Sequence, residues 1–265
     1  MTPESYTDVF GPLDRFGPPA AEVAVLRAAA ARDFIEAELS TAEPDSDEHT
    51  QLERALVAMD FGFRSTIDAL TRGHWPFEVV ADNDLEFEPR HAVRCVIIPS
   101  VPILSRAVFE QLSGWAAQGG FVVGIDPLPQ PWWDDSGDEA AALVVFFRRS
   151  LNLVLPPVDD EVAFAELLDE TLTTRLGRAF FLSGIGVEQL LVEQRANADA
   201  EAIILANPSE APVVVVVELA ATVPLELLDL TTDRRAPIVT EANGKRQRFE
   251  VRLEPQAKLA IVARR

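Results

Sequence analysis

The chain has 265 residues, 48% of them hydrophobic and 25% charged, with a net charge of −20. That length suffices for one large domain or two small ones with a real core, and so acidic a surface excludes nucleic-acid backbone and anionic membrane as partners, because both demand positive charge. No apolar run reaches the ~18 residues of a membrane span, and MTPESYTDVFGPLDRFG lacks the basic-then-apolar order of a secretory signal, so cytoplasmic residence is expected.

In chain order, residues 1–18 are rich in Pro, Gly and Asp and read as an extended arm that packs through Tyr6, Phe10 and Phe16. Residues 21–39 are ambiguous: the Ala-rich stretch favours helix, while Glu22–Leu26 reads equally well as a first strand. An acidic loop, 40–48, leads into a long helix from Glu48 to Arg72, with Leu52, Leu56, Met59, Phe63, Ile67 and Leu70 on one face. Asp47 is the expected N-cap and Gly73 the stop. A short strand at Phe77–Ala81, a turn at Asp82–Asp84 and a brief alternation at Leu85–Glu88 follow.

Arg94 to Pro129 then reads RCVIIPSVPILSRAVFEQLSGWAAQGGFVVGIDPLP. Two apolar runs without alternation, Cys95–Ile98 and Phe121–Ile125, predict parallel strands buried on both faces. Between them Ile103, Leu104, Ala107, Val108, Leu112, Trp115 and Ala116 recur at helical spacing. Ser105 is placed to cap that helix, and Gly119 to end it in the left-handed conformation. A loop spans 127–140, Ala141–Arg148 is helix or strand, and Leu151–Leu155 is extended. Glu161–Leu176 is an amphipathic helix stopped by Gly177, Ala179–Ser183 a further strand, and Gly186–Gln194 a last short helix.

The texture changes near residue 198. Ala202–Ala206, Val213–Leu219, Leu225–Leu230, Phe249–Leu253 and Leu259–Ala263 are short apolar or alternating runs, punctuated by NPSEAP, TTDRRAP, ANGK and EPQAK. Such spacing predicts an antiparallel sandwich, with a hairpin turn at Asn243-Gly244. The expected organisation is an arm (1–18), an α/β domain of flavodoxin-like layering (19–197) and a small antiparallel β-sandwich (198–265).

This order resembles the non-catalytic C-terminal part of multidomain bacterial glycoside hydrolases of the beta-galactosidase and alpha-L-rhamnosidase type. The resemblance rests on the VIIPSVPILSRAVFEQLSGWAAQGGFVVGIDPLP unit followed by EAIILANPSEAPVVVVVEL, PLELLDLTTDRRAPI and FEVRLEPQAKLAIV. It covers roughly residues 50–130 and 198–265. It implies an α/β domain like that of class I glutamine amidotransferases, then a β-sandwich, and a role in trimer formation. The catalytic barrel of those enzymes has no room here, since a (β/α)₈ barrel alone takes ~250 residues.

Candidate chemistry is sparse. Cys95 is the only cysteine, so no internal disulfide forms, and it lies within a strand, not on the elbow that an amidotransferase nucleophile needs. Ser100, after Pro99, and Ser183, in FLSGIG, stand at strand ends without a G-x-S-x-G frame. Gly184 and Gly186 offer backbone N–H groups for an anion. His49, His74 and His91 are scattered without metal-ligand spacing, so neither metal nor cofactor is expected. The one ligand platform the sequence offers is Asp126, Trp132, Trp133, Asp134 and Asp135: aromatic faces stack on sugars, and neighbouring acids can serve glycoside hydrolysis. Phe146, Phe147 and Trp132 are candidates for an oligomer interface.

The function expected from all this is that of a non-catalytic accessory or assembly module, binding carbohydrate or a protein partner and forming homo-oligomers. A fragment or subunit of an active glycosidase, and a diverged hydrolase using Ser100, Ser183 or nearby acids, are the alternatives.

Overall fold

In the computed structural model, residues 13–17, 20–82, 93–131, 145–147, 152–158, 160–221, 223–243 and 245–264 are described. The chain forms two compact units. One comprises Glu22–Ala69 and Phe77–Leu168; the other joins the described residues up to Ala21 with Leu70–Pro76 and Asp169 onward.

The first unit is built on β1 (Val23–Arg27), β2 (Phe77–Ala81), β3 (Cys95–Pro99), β5 (Phe121–Ile125) and β7 (Leu153–Leu155). They form one parallel sheet in the order β2-β1-β3-β5-β7. The Glu22–Leu26 ambiguity resolves as a strand followed by a helix, α1 (Ala29–Thr41). Val23, Ala24, Val25 and Leu26 are all buried, as are all five residues of β3 and of β5. Burial on both faces is why these runs do not alternate. Ala24, Leu26, Val96, Ile98 and Val122 share one face of the sheet. They pack with Ala31 and Ile35 of α1, Met59 of α2 (Asp47–Arg72), and Val108, Leu112 and Trp115 of α3 (Arg106–Ala117).

The caps follow local chemistry. The long helix α2 begins one residue earlier than expected, at Asp47, and Ser46 caps it: its Oγ accepts the His49 N–H at 3.0 Å. Ser105 does cap α3, accepting from Val108 N–H at 3.3 Å, and Gly119 takes a φ of +102° after it. Ile103–Leu104 is not part of that helix. Pro102 breaks the run, and the pair forms a short strand, β4, parallel to β6 (Gln130–Pro131).

The second unit is an antiparallel sandwich. One sheet orders β13 (Arg235–Pro237), β12 (Leu225–Asp229), β16 (Lys258–Arg264), β10 (Ala200–Ala206) and β9 (Leu191–Ala196). The other orders β14 (Glu241–Asn243), β15 (Arg246–Leu253), β11 (Val213–Leu219) and β8 (Phe180–Ile185). Val213, Val215, Val217, Phe249, Val251, Ile203, Leu205, Leu259 and Ile261 fill the space between the sheets. On the outer face of the first sheet, Leu13 and Phe16 lie over Ala202, Ile204, Leu228 and Val262, which explains why β10 is apolar on both sides. Tyr6 and Phe10 lie outside the described residues.

Two expectations change here. Gly186–Gln194 is not a helix: a 3₁₀ turn at Val187–Gln189 leads directly into β9. The strands β8 and β9, placed before the expected division at 198, pair with β11 and β10. The sandwich therefore takes in chain well before 198. Asn243 pairs with Arg246 across the expected hairpin, and Gly244 lies outside the described residues.

Candidate functional site

In an open parallel sheet, ligands meet the carboxyl ends of the strands, at the crevice where strand order reverses. Here that crevice lies between β1 and β3, and the polar groups described around it are already engaged with one another. The N-terminus of α1 would be the natural anion site, because its first N–H groups lack helical partners. Its cap residue, Ala28, offers no side-chain acceptor. Instead Asp82, buried after β2, accepts the Ala30 N–H at 3.0 Å, while the Asp82 N–H donates to the Arg27 carbonyl at 3.2 Å. The chain's own carboxylate thus occupies the position a phosphate would take.

Ser100 follows β3 with a φ of +47°, the sharp conformation of a nucleophile elbow. Its environment is wrong for attack. Ser100 is 4% exposed, and its Oγ donates to the Asp126 carbonyl at 3.2 Å. Gly62 of α2 lies directly against it: a Cβ on Gly62 would sit 2.6 Å from the Ser100 Oγ. The hydroxyl is a packed strand-end group, not a reagent. Cys95 is fully buried in β3, and burial pushes its thiol well above the ordinary range, so it is not a thiolate nucleophile. Ser183 stands within β8, opposite Val216, and not at a strand-to-helix elbow. Gly186 precedes only a three-residue 3₁₀ turn, which provides no helix terminus for an anion.

Of the predicted platform, Asp126 is exposed at the end of β5, its N–H held by the Leu155 carbonyl at 3.0 Å and its peptide bond to Pro127 cis. Trp132, Trp133, Asp134 and Asp135 lie outside the described residues. Phe146 and Phe147 are not an interface. Both are buried, and Phe146 packs edge-on against Phe109 and Phe147. Asn152 ties this region down, accepting the Val122 N–H at 2.9 Å and donating to the Phe146 carbonyl at 2.7 Å.

Two features of the sandwich unit had no sequence signal. Arg178 donates to Asp169 Oδ1 at 2.8 Å and to the Gly73 carbonyl, and its guanidinium stacks 4.9 Å from the Trp75 ring and 5.4 Å from Phe181. Trp75 Nε1–H donates to the same Asp169 oxygen at 2.8 Å, and Arg246 donates to the Arg178 carbonyl at 2.6 Å. Beside them His74 Nε2–H donates to the Val187 carbonyl at 2.8 Å, and burial lowers its pKa below the usual imidazole value. Every one of these groups is engaged with another, so the cluster is a clasp. The second feature is a groove of about 260 Å³ lined by Arg15, Phe16, Asp199, Glu226, Arg235 and Arg264. Arg15 pairs with Asp233 at 2.7 Å and Arg264 with Glu226 at 3.2 Å, which neutralises much of its charge. Among the described residues, no three His, Cys, Asp or Glu side chains gather in a way that holds a metal, and no helix is long and apolar enough to cross a membrane.

No family model and no curated protein matches the chain. Solved structures do. A rhamnosidase from Novosphingobium sp. PP1Y superposes with a TM-score of 0.63 at 16% identity, over 94% of this chain and 23% of its own. This chain has the fold of a part of glycoside hydrolases. A beta-galactosidase from Bacillus circulans sp. alkalophilus gives 0.60 at 11% identity, over 92% of this chain and 42% of its own. An alpha-L-fucosidase isoenzyme 2 from Paenibacillus thiaminolyticus gives 0.54 at 12% identity, over 92% and 48%. The chain spans less than half the length of each.

Proposed function

We propose that this chain is a non-catalytic accessory or assembly module related to glycoside hydrolases. The observation that carries the proposal is coverage: 94% of this chain matches only 23% of the rhamnosidase chain. A filled crevice supports it, since Asp82 and Gly62 occupy the places where an anion or an attacked carbonyl would sit. In this reading the α/β unit is flavodoxin-like, of the class I glutamine amidotransferase type, and its strand order suits that assignment. Its nucleophile position has been given over to packing. Carbohydrate is the ligand class, met at Asp126, Trp132, Trp133, Asp134 and Asp135, and assembly with a protein partner or a second copy is the companion role. Cytoplasmic residence belongs to the same proposal, and a lone buried thiol suits it.

The same coverage favours a second reading, in which the chain serves an active glycosidase whose barrel lies on another polypeptide or elsewhere in a longer one. One experiment separates both from a diverged hydrolase. Purified chain is assayed on aryl glycosides, esters and anilides, and the same sample is titrated with mono- and oligosaccharides by tryptophan fluorescence. Saturable quenching without turnover, lost in Trp132→Ala, is the expected result. Turnover abolished by Asp134→Asn or Asp135→Asn overturns the proposal.

A further inference from the structure

The second sheet of the sandwich ends on β8. Among the described residues β8 pairs with β11 on one side and with no strand on the other. Natural sheets blunt such edges with Lys, Pro or an inward charge. This one has none: from Ala179 to Val187 the sequence is AFFLSGIGV, without a charge or a proline, in a chain that is 25% charged. Its outer face carries Phe181, Ser183 and Ile185, all exposed, and Ile185 is 94% exposed. Val214, across from Ile185 on β11, extends the apolar strip.

The ends of the strand differ in sign. Arg246 stacks 4.6 Å over Phe181 at one end, while Glu188 follows the other, exposed. An antiparallel copy of the same strand, related by a two-fold axis through Ser183, places Phe181 opposite Ile185 of the second copy. It also brings the Arg246 end toward the second copy's Glu188. The edge is therefore complementary to itself in apolar pattern and in charge, as an isologous contact requires. In a chain of net charge −20, where like charges oppose association at most surfaces, an uncharged strand flanked by opposite signs is where two copies can approach.

We infer that β8 is the docking edge for a second copy of this chain, joined in antiparallel register about Ser183 so that the four-stranded sheet continues across the pair. This rests on the assembly half of the proposed function, and it can fail while the absence of turnover stands.

The test is the light-scattering mass of the intact chain over a wide micromolar concentration range, with Ile185→Lys as the disrupting variant. Because Ile185 is almost fully solvent-exposed, that change leaves the fold intact. The expected result is a concentration-dependent dimer, at least ~10-fold weaker in Ile185→Lys. Register is read by Ser183→Cys, which under mild oxidation gives a covalent dimer, whereas Val239→Cys, at a 90% exposed site elsewhere on the sandwich, does not. The native Cys95 is buried and does not compete. A monomer throughout, a dimer indifferent to Ile185→Lys, or equal cross-linking at both cysteines overturns the inference.

Discussion

Closure of the crevice makes a quantitative prediction at Gly62. A Cβ added there would fall 2.6 Å from the Ser100 Oγ, 2.7 Å from its Cβ and 3.4 Å from the Pro99 carbonyl carbon. Ser100 has little freedom to yield, being buried at a φ of +47° and bonded to the Asp126 carbonyl. Overpacking of this kind costs about 1–3 kcal/mol. Alanine for glycine inside a helix returns about 1 kcal/mol. With two side-chain atoms inside contact distance, the upper part of the range applies, and Gly62→Ala should lose about 1–2 kcal/mol net. Gly114→Ala is the control. It lies in α3 with nothing within 4 Å of its added Cβ, so it should gain up to ~1 kcal/mol. Urea denaturation of the two variants reads the difference. Ser100→Gly removes both the obstructing atoms and the left-handed strain. The Gly62→Ala/Ser100→Gly double variant should therefore show a coupling of at least ~1 kcal/mol. If Gly62→Ala stabilises as much as Gly114→Ala, or if the cycle is additive, α2 does not seal Ser100 and the argument against an elbow nucleophile collapses.

Three other outcomes are expected. Arg178→Lys loses the forked donor set and the stacking on Trp75 and Phe181, and should lower stability by about 2 kcal/mol, measured by chemical denaturation. His74 is held neutral by burial, with its pKa lowered in the folded chain. The unfolded chain therefore takes up the proton more readily, so the contribution of His74 is complete above the unfolded pKa near 6.5 and is lost as pH falls through the lowered folded value. Melting of wild type and His74→Asn at neutral and acid pH should show the larger acid loss in wild type, and equal losses would refute the assignment. Cys95 should resist an aromatic disulfide reagent in the native state and react at the rate of unfolding; fast native labelling would contradict its burial.

What could be read from the sequence follows what the physics makes local. The β3–α3–β5 unit was legible because both strands are buried on both faces and the helix has one apolar stripe, a serine cap and a glycine stop. The helix α4 (Glu161–Leu176) was legible from its apolar stripe of Phe164, Leu168 and Leu172 and its stop at Gly177. The allegiance of β8 was not. A strand directly after a helix reads as another α/β repeat, and only its pairing with Val214–Leu219, some thirty residues on, assigns it to the sandwich. Phe146 and Phe147 looked like surface because their segment has no clear period, yet tertiary packing buries both. The positive φ of Ser100 carries no residue-type signal, since such backbone favours glycine or asparagine. The Arg178 clasp draws on Gly73, Trp75, Asp169, Phe181 and Arg246, segments too far apart for any spacing rule to join. Of the expected sugar platform, only Asp126 falls among the described residues, exposed where a strand end would present it.

The proposal that matters most is that this chain, with the fold of a part of glycoside hydrolases, performs no covalent chemistry of its own. Its most direct test is the intact mass of the purified chain after incubation with a fluorophosphonate, which traps activated serines, and with an activated 2-fluoroglycoside, which traps glycosidase carboxylates. The account predicts an unchanged mass with both reagents. A stoichiometric adduct mapped to Ser100, or to an acid between Asp126 and Glu139, would contradict it.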